Sequence, residues 1–242
     1  MKTPININCD LGEGLQVASQ IMPLIGAANI ACGGHAGDKE TIASCIQLAQ
    51  ENQVLIGMHP GYPDRENFGR KTMEMTTLDI WDMLAAQIST FMQIAQKLKA
   101  DIHHIKLHGA LYHDVAYNEG LSRIFISVLK NYSDDWVIFC PPESLLAETA
   151  AHSNYPVWRE GFLDRNYNDD GKLLSRLEAS ALITDPELVW KHTDHILKTG
   201  KVKTVSGLEI PLKVDTFCIH GDHPKAVEIL TYIREQYQDG KI

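Results

Sequence analysis

Four apolar runs, far apart in the chain, each stop at a histidine: 28–35, 55–59, 104–108 and 216–220, ending at His35, His59, His108 and His220. Short apolar runs closed by Gly, Pro or Asp read as buried strands, and a polar residue at the end marks where the strand surfaces. A fifth run from Ile5 follows the same plan with carboxylates, Asp10 and, past Gly12, Glu13. For one such histidine alone, satisfying local hydrogen bonds is an equally good reading. Several, from separate strands, predict one shared site.

Segments of helical period lie between these tips. The stripe Ile42, Cys45, Ile46, Ala49 predicts a helix over 39–52, and Ile80, Met83, Leu84, Gln87, Ile88, Phe91, Ala95 another over 77–99. Further helices are predicted over 119–131, 143–151, 185–198 (Pro186 near its start, Gly200 past its end) and 224–237. Strands are predicted at 5–11, 28–34, 54–58, 102–107, 136–140, 156–162 and 214–219. Alternation of this kind calls for parallel strands with right-handed crossovers, as an open doubly wound sheet or a closed barrel. Polar tips after most strands favour a single closed parallel β/α barrel of about seven strands over 1–242, TIM-like, because an open sheet gathers its chemistry at one crevice. Ser206-Gly207 between two β-rich runs predicts a hairpin excursion near 202–212 with a two-residue loop. The polar stretch 164–182 reads as a loop or lid.

Composition narrows the class. With 31 acidic against 22 basic residues and a net charge of -9, the chain lacks the basic surface a nucleic-acid partner requires. No apolar stretch approaches a membrane span, and no secretory signal is visible, so the expected location is the cytoplasm. The 5 cysteines show no Cys-x-x-Cys spacing, which argues against a disulfide framework and a zinc knuckle.

Strand alternation places Asn8 with Asp10, Lys106 with His108, and Cys218 with His220 on common faces. Lys106, between Ile105 and Leu107, needs a buried partner or a polar cavity. Asp10, Glu13 and Glu160 are the candidates. Asp38 and Asp222 each precede a predicted helix and serve equally well as amino-terminal caps. His192 and His195 share a helix face and read as surface residues. Phosphate-loop, dinucleotide, His-Glu-x-x-His and Gly-x-Ser-x-Gly signatures are absent. Asp10, His35 and His59 could hold a divalent metal with a bound water, a question spacing leaves open.

Five motifs occur in order: Asn8-Cys9-Asp10-Leu11-Gly12-Glu13; 28–38, ending Gly33-Gly34-His35-Ala36-Gly37-Asp38; His59-Pro60-Gly61-Tyr62-Pro63-Asp64 with Phe68-Gly69-Arg70; Lys106-Leu107-His108-Gly109-Ala110-Leu111-Tyr112; and Cys218-Ile219-His220-Gly221-Asp222. Together they resemble the LamB/YcsF family over nearly the whole chain. The resemblance implies a barrel distantly similar to carbohydrate deacetylases. It implies opening of the cyclic amide 5-oxoproline to glutamate with ATP, in company with B and C subunits. Carried over by position, it marks Asp10, Glu13, His35, His59, Lys106, His108 and His220 as catalytic candidates and Asp38, Glu160, Asp164, Arg165 and Asp222 as substrate-binding candidates. Gly34 stands where the family usually has a bulky aromatic, and Leu107 where it has Pro; the first is expected to widen the pocket or loosen the turn.

A lactam resists water because its nitrogen lone pair is delocalised and amine leaves poorly, so phosphorylation of the carbonyl oxygen is the natural use of ATP. Asp10 or His59 as base, Lys106 and Arg165 as anion holders and His220 as acid fit that scheme. Replacing Lys106 with Met is expected to keep the fold and cost more than about tenfold in turnover. Two other readings are a metal-dependent amide or carbohydrate deacetylase without ATP, and a substrate-binding or regulatory subunit with no activity of its own.

Overall fold

The computed structural model describes residues 5–14, 17–176 and 178–238. Seven strands close a parallel barrel: β1 (Ile7–Leu11), β2 (Ala27–Ala31), β3 (Leu55–His59), β4 (His104–Lys106), β5 (Val137–Cys140), β6 (Val157–Phe162) and β9 (Thr216–His220), with β9 returning to pair with both β6 and β1. This is the TIM-like architecture expected from alternation. Strands β1 and β2 are shorter than predicted. β2 ends at Ala31, because Gly33 takes a left-handed conformation (φ 94°) and turns the chain away before His35.

Helices α1 (Ala18–Ile21), α2 (Lys39–Glu51), α3 (Thr77–Lys97), α4 (Gly109–Ala116), α5 (Glu119–Leu129), α6 (Leu145–His152), α7 (Pro186–Thr199) and α8 (Ala226–Gln238) surround the barrel. Local chemistry sets their ends. Asp38 caps α2 through the Thr41 backbone N–H; Thr76 and Asp79 form a capping box on α3; Asp185 caps α7, which stops at left-handed Gly200. The faces turned to the barrel are those the spacing predicted, Ile42, Cys45, Ile46 and Ala49 on α2 and Ile80, Leu84, Gln87, Ile88, Phe91 and Ala95 on α3, with Met83 alone of the predicted stripe only partly buried. Full burial of a side chain such as Leu84 or Phe91 stabilises by about 1.5–3 kcal/mol. Helix α4 is not signalled by periodicity, since its eight residues show little more than one apolar turn, Leu111, Tyr112 and Val115.

The predicted hairpin is present as β7 (Lys201–Lys203) and β8 (Glu209–Pro211), but its loop is longer than two residues. Gly207, at φ 90°, donates its N–H to the Thr204 carbonyl, so the Ser-Gly pair lies inside a wider turn. The described residues of 164–182 form a pinned wall. Arg165 bridges to Leu182 and Tyr167 to Leu173, Asn166 donates to the Ser180 carbonyl, and Asp169 accepts from Thr204 and Ser206 of the hairpin.

The barrel interior is unusually polar. Where such barrels commonly hold Val, Ile and Leu, this one has a floor of Ala27, Val137, Phe139 and Trp158 and, above it, Asn8, Asn29, His104 and Thr216. Asn29 donates to Asn8 Oδ1 and to Asp10 Oδ1, both at 2.7 Å; Asn8 donates to Thr216 Oγ1 at 3.0 Å; His104 Nε2 bonds Asn29 Oδ1 at 2.8 Å. Buried polar groups satisfied in this way rigidify what they support. They support Asp10.

Candidate active site

The carboxyl ends of the strands open into a cleft of about 1320 Å³. Asp10, Glu13, His59, Lys106, His108, Arg165 and His220 all line it. Parallel pairing explains the convergence: Asp10 is in register with Asn29 and His220, and Ala31 with His59.

Lys106 occupies the deep end. Its ammonium donates to Asp10 Oδ1 (2.8 Å) and Cys218 Sγ (3.0 Å) and pairs with Glu160 Oε1 (3.1 Å). Burial disfavours its charge, but Asp10, Cys218 and Glu160 outweigh burial and hold the amine well above the ordinary lysine range. Asp10 follows the converse logic: burial pushes it up, His59 and Lys106 pull it well below the carboxylate range. It stays an anion.

A second group stands beside it. Glu13 Oε1 lies 3.0 Å from His35 Nε2, 3.2 Å from His108 Nδ1 and 3.8 Å from His59 Nε2, and the last two nitrogens are 3.0 Å apart. His59 Nδ1 donates to the Lys106 carbonyl and His108 Nε2 to the Phe68 carbonyl, each at 2.8 Å. His35 stacks flat on His108 at 3.5 Å, and its burial, partly offset by Glu13, lowers it to about 4. The donor atoms of Glu13, His35, His59 and His108 are mutually close enough for one metal ion. The close group differs from Asp10, His35 and His59, the set suggested by sequence: Asp10 gives Oδ1 to Lys106 and sets Oδ2 3.3 Å from His59 Nε2, while Glu13 and His108 join the two histidines in the mutually close set.

Next to Asp10, on the paired strand β9, His220 donates Nδ1–H to Asp164 at 3.0 Å, which directs Nε2 to the cleft. Phe162 stacks on the imidazole at 5.6 Å. Burial raises the Asp164 carboxyl, and the His220 charge and hydrogen bond overcome this and lower it. A buried carboxylate behind an imidazole fixes tautomer and orientation, the arrangement of an acid–base pair.

Several expected site residues are placed differently. His35, Glu160 and Asp164 are sealed one layer behind His108, Lys106 and His220, at 2%, 1% and 0% exposure, so they support rather than touch an occupant of the cleft. Asp222 is not a cap; it holds Arg70 (2.5 Å) and Arg176 (3.0 Å) at the rim. Asp38 is only the cap of α2, exposed and outside the cleft beside Gly34. Gly34 does not widen the site, because it faces that outer depression, and a Cβ there would come within 2.6 Å of the Gly61 carbonyl and of Gln87. His192 is not a surface residue; it is partly buried, bonded to the Phe162 carbonyl and stacked on Tyr167.

Sequence reasoning missed His104, Asn29, Arg70 and Arg176. His104 was open to discovery, since it shares the alternation that joined Lys106 to His108. Its place depends on Gly57, where a Cβ would fall 2.1 Å from the His104 ring. Arg176 carries no local signal and reaches the rim through the folded 164–182 wall. The five cysteines are free and buried, as expected of small apolar residues. Among the described residues no helix is long and apolar enough to cross a membrane.

Known proteins share this frame. The A subunit of the 5-oxoprolinase of Pyrococcus horikoshii is 36% identical over 240 residues, covering 97% of this chain and 94% of its own length. That of Limosilactobacillus fermentum is 36% identical over 240 residues, with 97% and 96% covered, and that of Staphylococcus haemolyticus 38% over 240, with 96% and 95%. A lactam utilization protein of Thermus thermophilus, solved by crystallography, superposes with a TM-score of 0.90 at 30% identity and 98% coverage of both chains. The sequence pattern of the LamB/YcsF family matches residues 5–242, and with the same barrel and near-complete coverage of these relatives, the chain belongs to that family.

Proposed function

We propose that the chain is the hydrolytic A subunit of a cytoplasmic, ATP-dependent 5-oxoprolinase, opening the ring of 5-oxoproline to glutamate in company with B and C subunits. The observation that carries this reading is the adjacency, at the base of one cleft, of the Asp10–Lys106 pair and the Asp164–His220 pair. A cyclic amide needs an anion-stabilising cation at its carbonyl and a proton for its nitrogen, and those two groups supply them. The rim adds Arg70, Lys71, Lys172 and Arg176, a set of cations suited to a substrate carboxylate or phosphoryl group on a chain that is acidic overall. The relatives' names as subunits of a 5-oxoprolinase, and the lactam of the structural relative's name, point to the same substrate class.

The cleft exceeds the volume usual for a small-molecule site, about 300–1,000 Å³. It has room for more than a five-membered ring. In the proposed sequence the lactam oxygen takes the γ-phosphoryl group of ATP, releasing ADP, at a nucleotide site lent by the partner subunits. Water adds to the activated carbon, and the C–N bond breaks as His220 passes a proton to the nitrogen. A second water then splits the resulting acyl phosphate, leaving glutamate and inorganic phosphate. Lys106 faces the developing oxyanion, and Asp10 or His59 accepts the proton of the attacking water.

Glutamate formation from 5-oxoproline and ATP, measured for this chain alone and with its B and C partners, tests the reading. The expected result is turnover only in the assembled mixture; no glutamate from any combination refutes it. The histidine cluster around Glu13 favours a second reading, a metal-dependent amidase without ATP, for which release of acetate from acetylated sugars in the absence of ATP is the distinguishing assay.

A further inference from the structure

The ring nitrogens that His59 and His108 turn to the cleft face each other and the carboxylates of Asp10 and Glu13. Each imidazole spends one ring proton on a backbone carbonyl, His59 Nδ1 on Lys106 and His108 Nε2 on Phe68. In the neutral ring this leaves His59 Nε2 and His108 Nδ1 as bare lone pairs. They face each other at 3.0 Å, and the Glu13 carboxylate closes on them at 3.8 and 3.2 Å. Asp10 Oδ2, 3.3 Å from His59 Nε2, closes in as well, so four electron-rich atoms stand around one space. The wider charge balance has the same sign: Asp10, Glu13, Glu160 and Asp164 are shut off from water, with Lys106 and Arg165 as the permanent cations among them. Buried charge left unmatched is costly.

We propose that Glu13, His59 and His108 form a binding site for one divalent transition-metal ion, of the type formed by two imidazoles and one carboxylate with an open position. For four-coordinate zinc with bonds of about 2.1 Å, ligand atoms stand about 3.4 Å apart, and the observed separations of 3.0, 3.2 and 3.8 Å surround that value. Donation of the second ring N–H to a carbonyl is what ligating histidines commonly do to fix tautomer and ring orientation. The rings of His59 and His108 are perpendicular, at 89°, so their lone pairs can meet at one point. His35 is not a ligand. Its ring lies parallel to His108, at 4° and 3.5 Å, so an ion in the plane of one ring is out of the plane of the other. It serves instead as a positioning residue, donating Nε2–H to Glu13 Oε1. Nitrogen and oxygen donors in this ratio suit zinc, manganese, cobalt or iron(II) rather than calcium or magnesium. Such an ion lowers the pKa of bound water or polarises a carbonyl.

The inference shares the cleft of the function proposed above but does not depend on its substrate. The full-length chain, stripped with a chelator, is titrated calorimetrically with zinc or cobalt chloride alone, and bound metal is counted after gel filtration. One ion per chain is expected, with visible d–d bands in the cobalt adduct and an anomalous-scattering peak between Glu13, His59 and His108. Glu13→Gln and His108→Ala should each weaken binding by more than about tenfold. Absence of stoichiometric metal, or an anomalous peak elsewhere, overturns the site; if a variant fails to fold, the wild-type anomalous map decides alone. A chain that takes up no metal yet supports ring opening removes this inference and leaves the lactam reading intact, whereas a loaded chain inert toward lactams with its partners does the reverse.

Discussion

The ammonium of Lys106 lies 3.1 Å from Oε1 of Glu160 deep in the barrel, both side chains almost wholly cut off from water. Neither Glu160 oxygen has a well-formed hydrogen bond, so this cation carries the charge compensation. The expectation that Lys106→Met spares the fold must therefore be revised. Removing one member of a buried pair leaves an uncompensated charge and costs about 3–5 kcal/mol. Urea denaturation should show that loss, and Lys106→Met with Glu160→Gln should recover part of it, since Asp10 also loses its cation, while turnover stays more than about tenfold down. A single variant of wild-type stability defeats the assignment.

Asp164→Asn tests the acid–base pair. An amide in place of the carboxylate can donate to His220 Nδ1, driving the ring proton to the nitrogen that faces the cleft. Turnover should fall by about a hundredfold or more, with KM little changed. Equal losses in substrate binding and turnover would instead mark Asp164 as a binding residue.

Gly57→Ala tests the polar interior. The added carbon would come 2.1 Å from His104 Nε2 and displace the ring that bonds Asn29, and through Asn29 holds Asp10. Overpacking of this kind costs about 1–3 kcal/mol. Gly57→Ala with His104→Ala should be more stable than the single glycine variant; if the two alanines add independently, the ring is not what the glycine accommodates.

Acid should loosen the far end of the barrel. Asp215, just ahead of β9, accepts from Arg159 N, Nε and Nη2 at 2.8, 2.7 and 2.8 Å on β6. Burial raises its carboxyl, but these bonds and the Arg159 charge prevail and lower it. Because the folded value lies below the unfolded one, near 3.9, the stabilisation is present above that value and is lost as pH falls through the folded value. Both side chains are partly exposed, so the effect is about 1 kcal/mol or less. Urea midpoints between about pH 6 and about pH 3 should fall less steeply for Asp215→Asn than for wild type.

How much of this was readable from residues alone depended on range. Alternation and periodicity are local, and they located the strands, the long helices and the polar tips, because Ile80 or His59 advertises its surroundings through near neighbours. The layer a residue occupies is not local. Asp164, Glu160 and His35 look like site residues and lie behind it, since depth is set by what the barrel places in front of them. Helix α4 escaped because eight residues hold too few turns to establish a period. Asp38 was equally at home as a cap or a ligand until α2 took a definite position outside the cleft. Arg176 became a rim residue only through the fold of a segment with no repeat of its own.

The seam between β1 and β9 sets Asp10 directly beside His220, pairing strands more than two hundred residues apart in the chain. Ring closure and assembly of the chemistry are thus a single event. An incompletely synthesised chain, still without its last strand, would carry Asp10 and Lys106 but no proton donor beside them, and the barrel wall itself would be open to water. Activity should therefore rise with refolding only as the last cooperative step completes, with no partly competent species along the way.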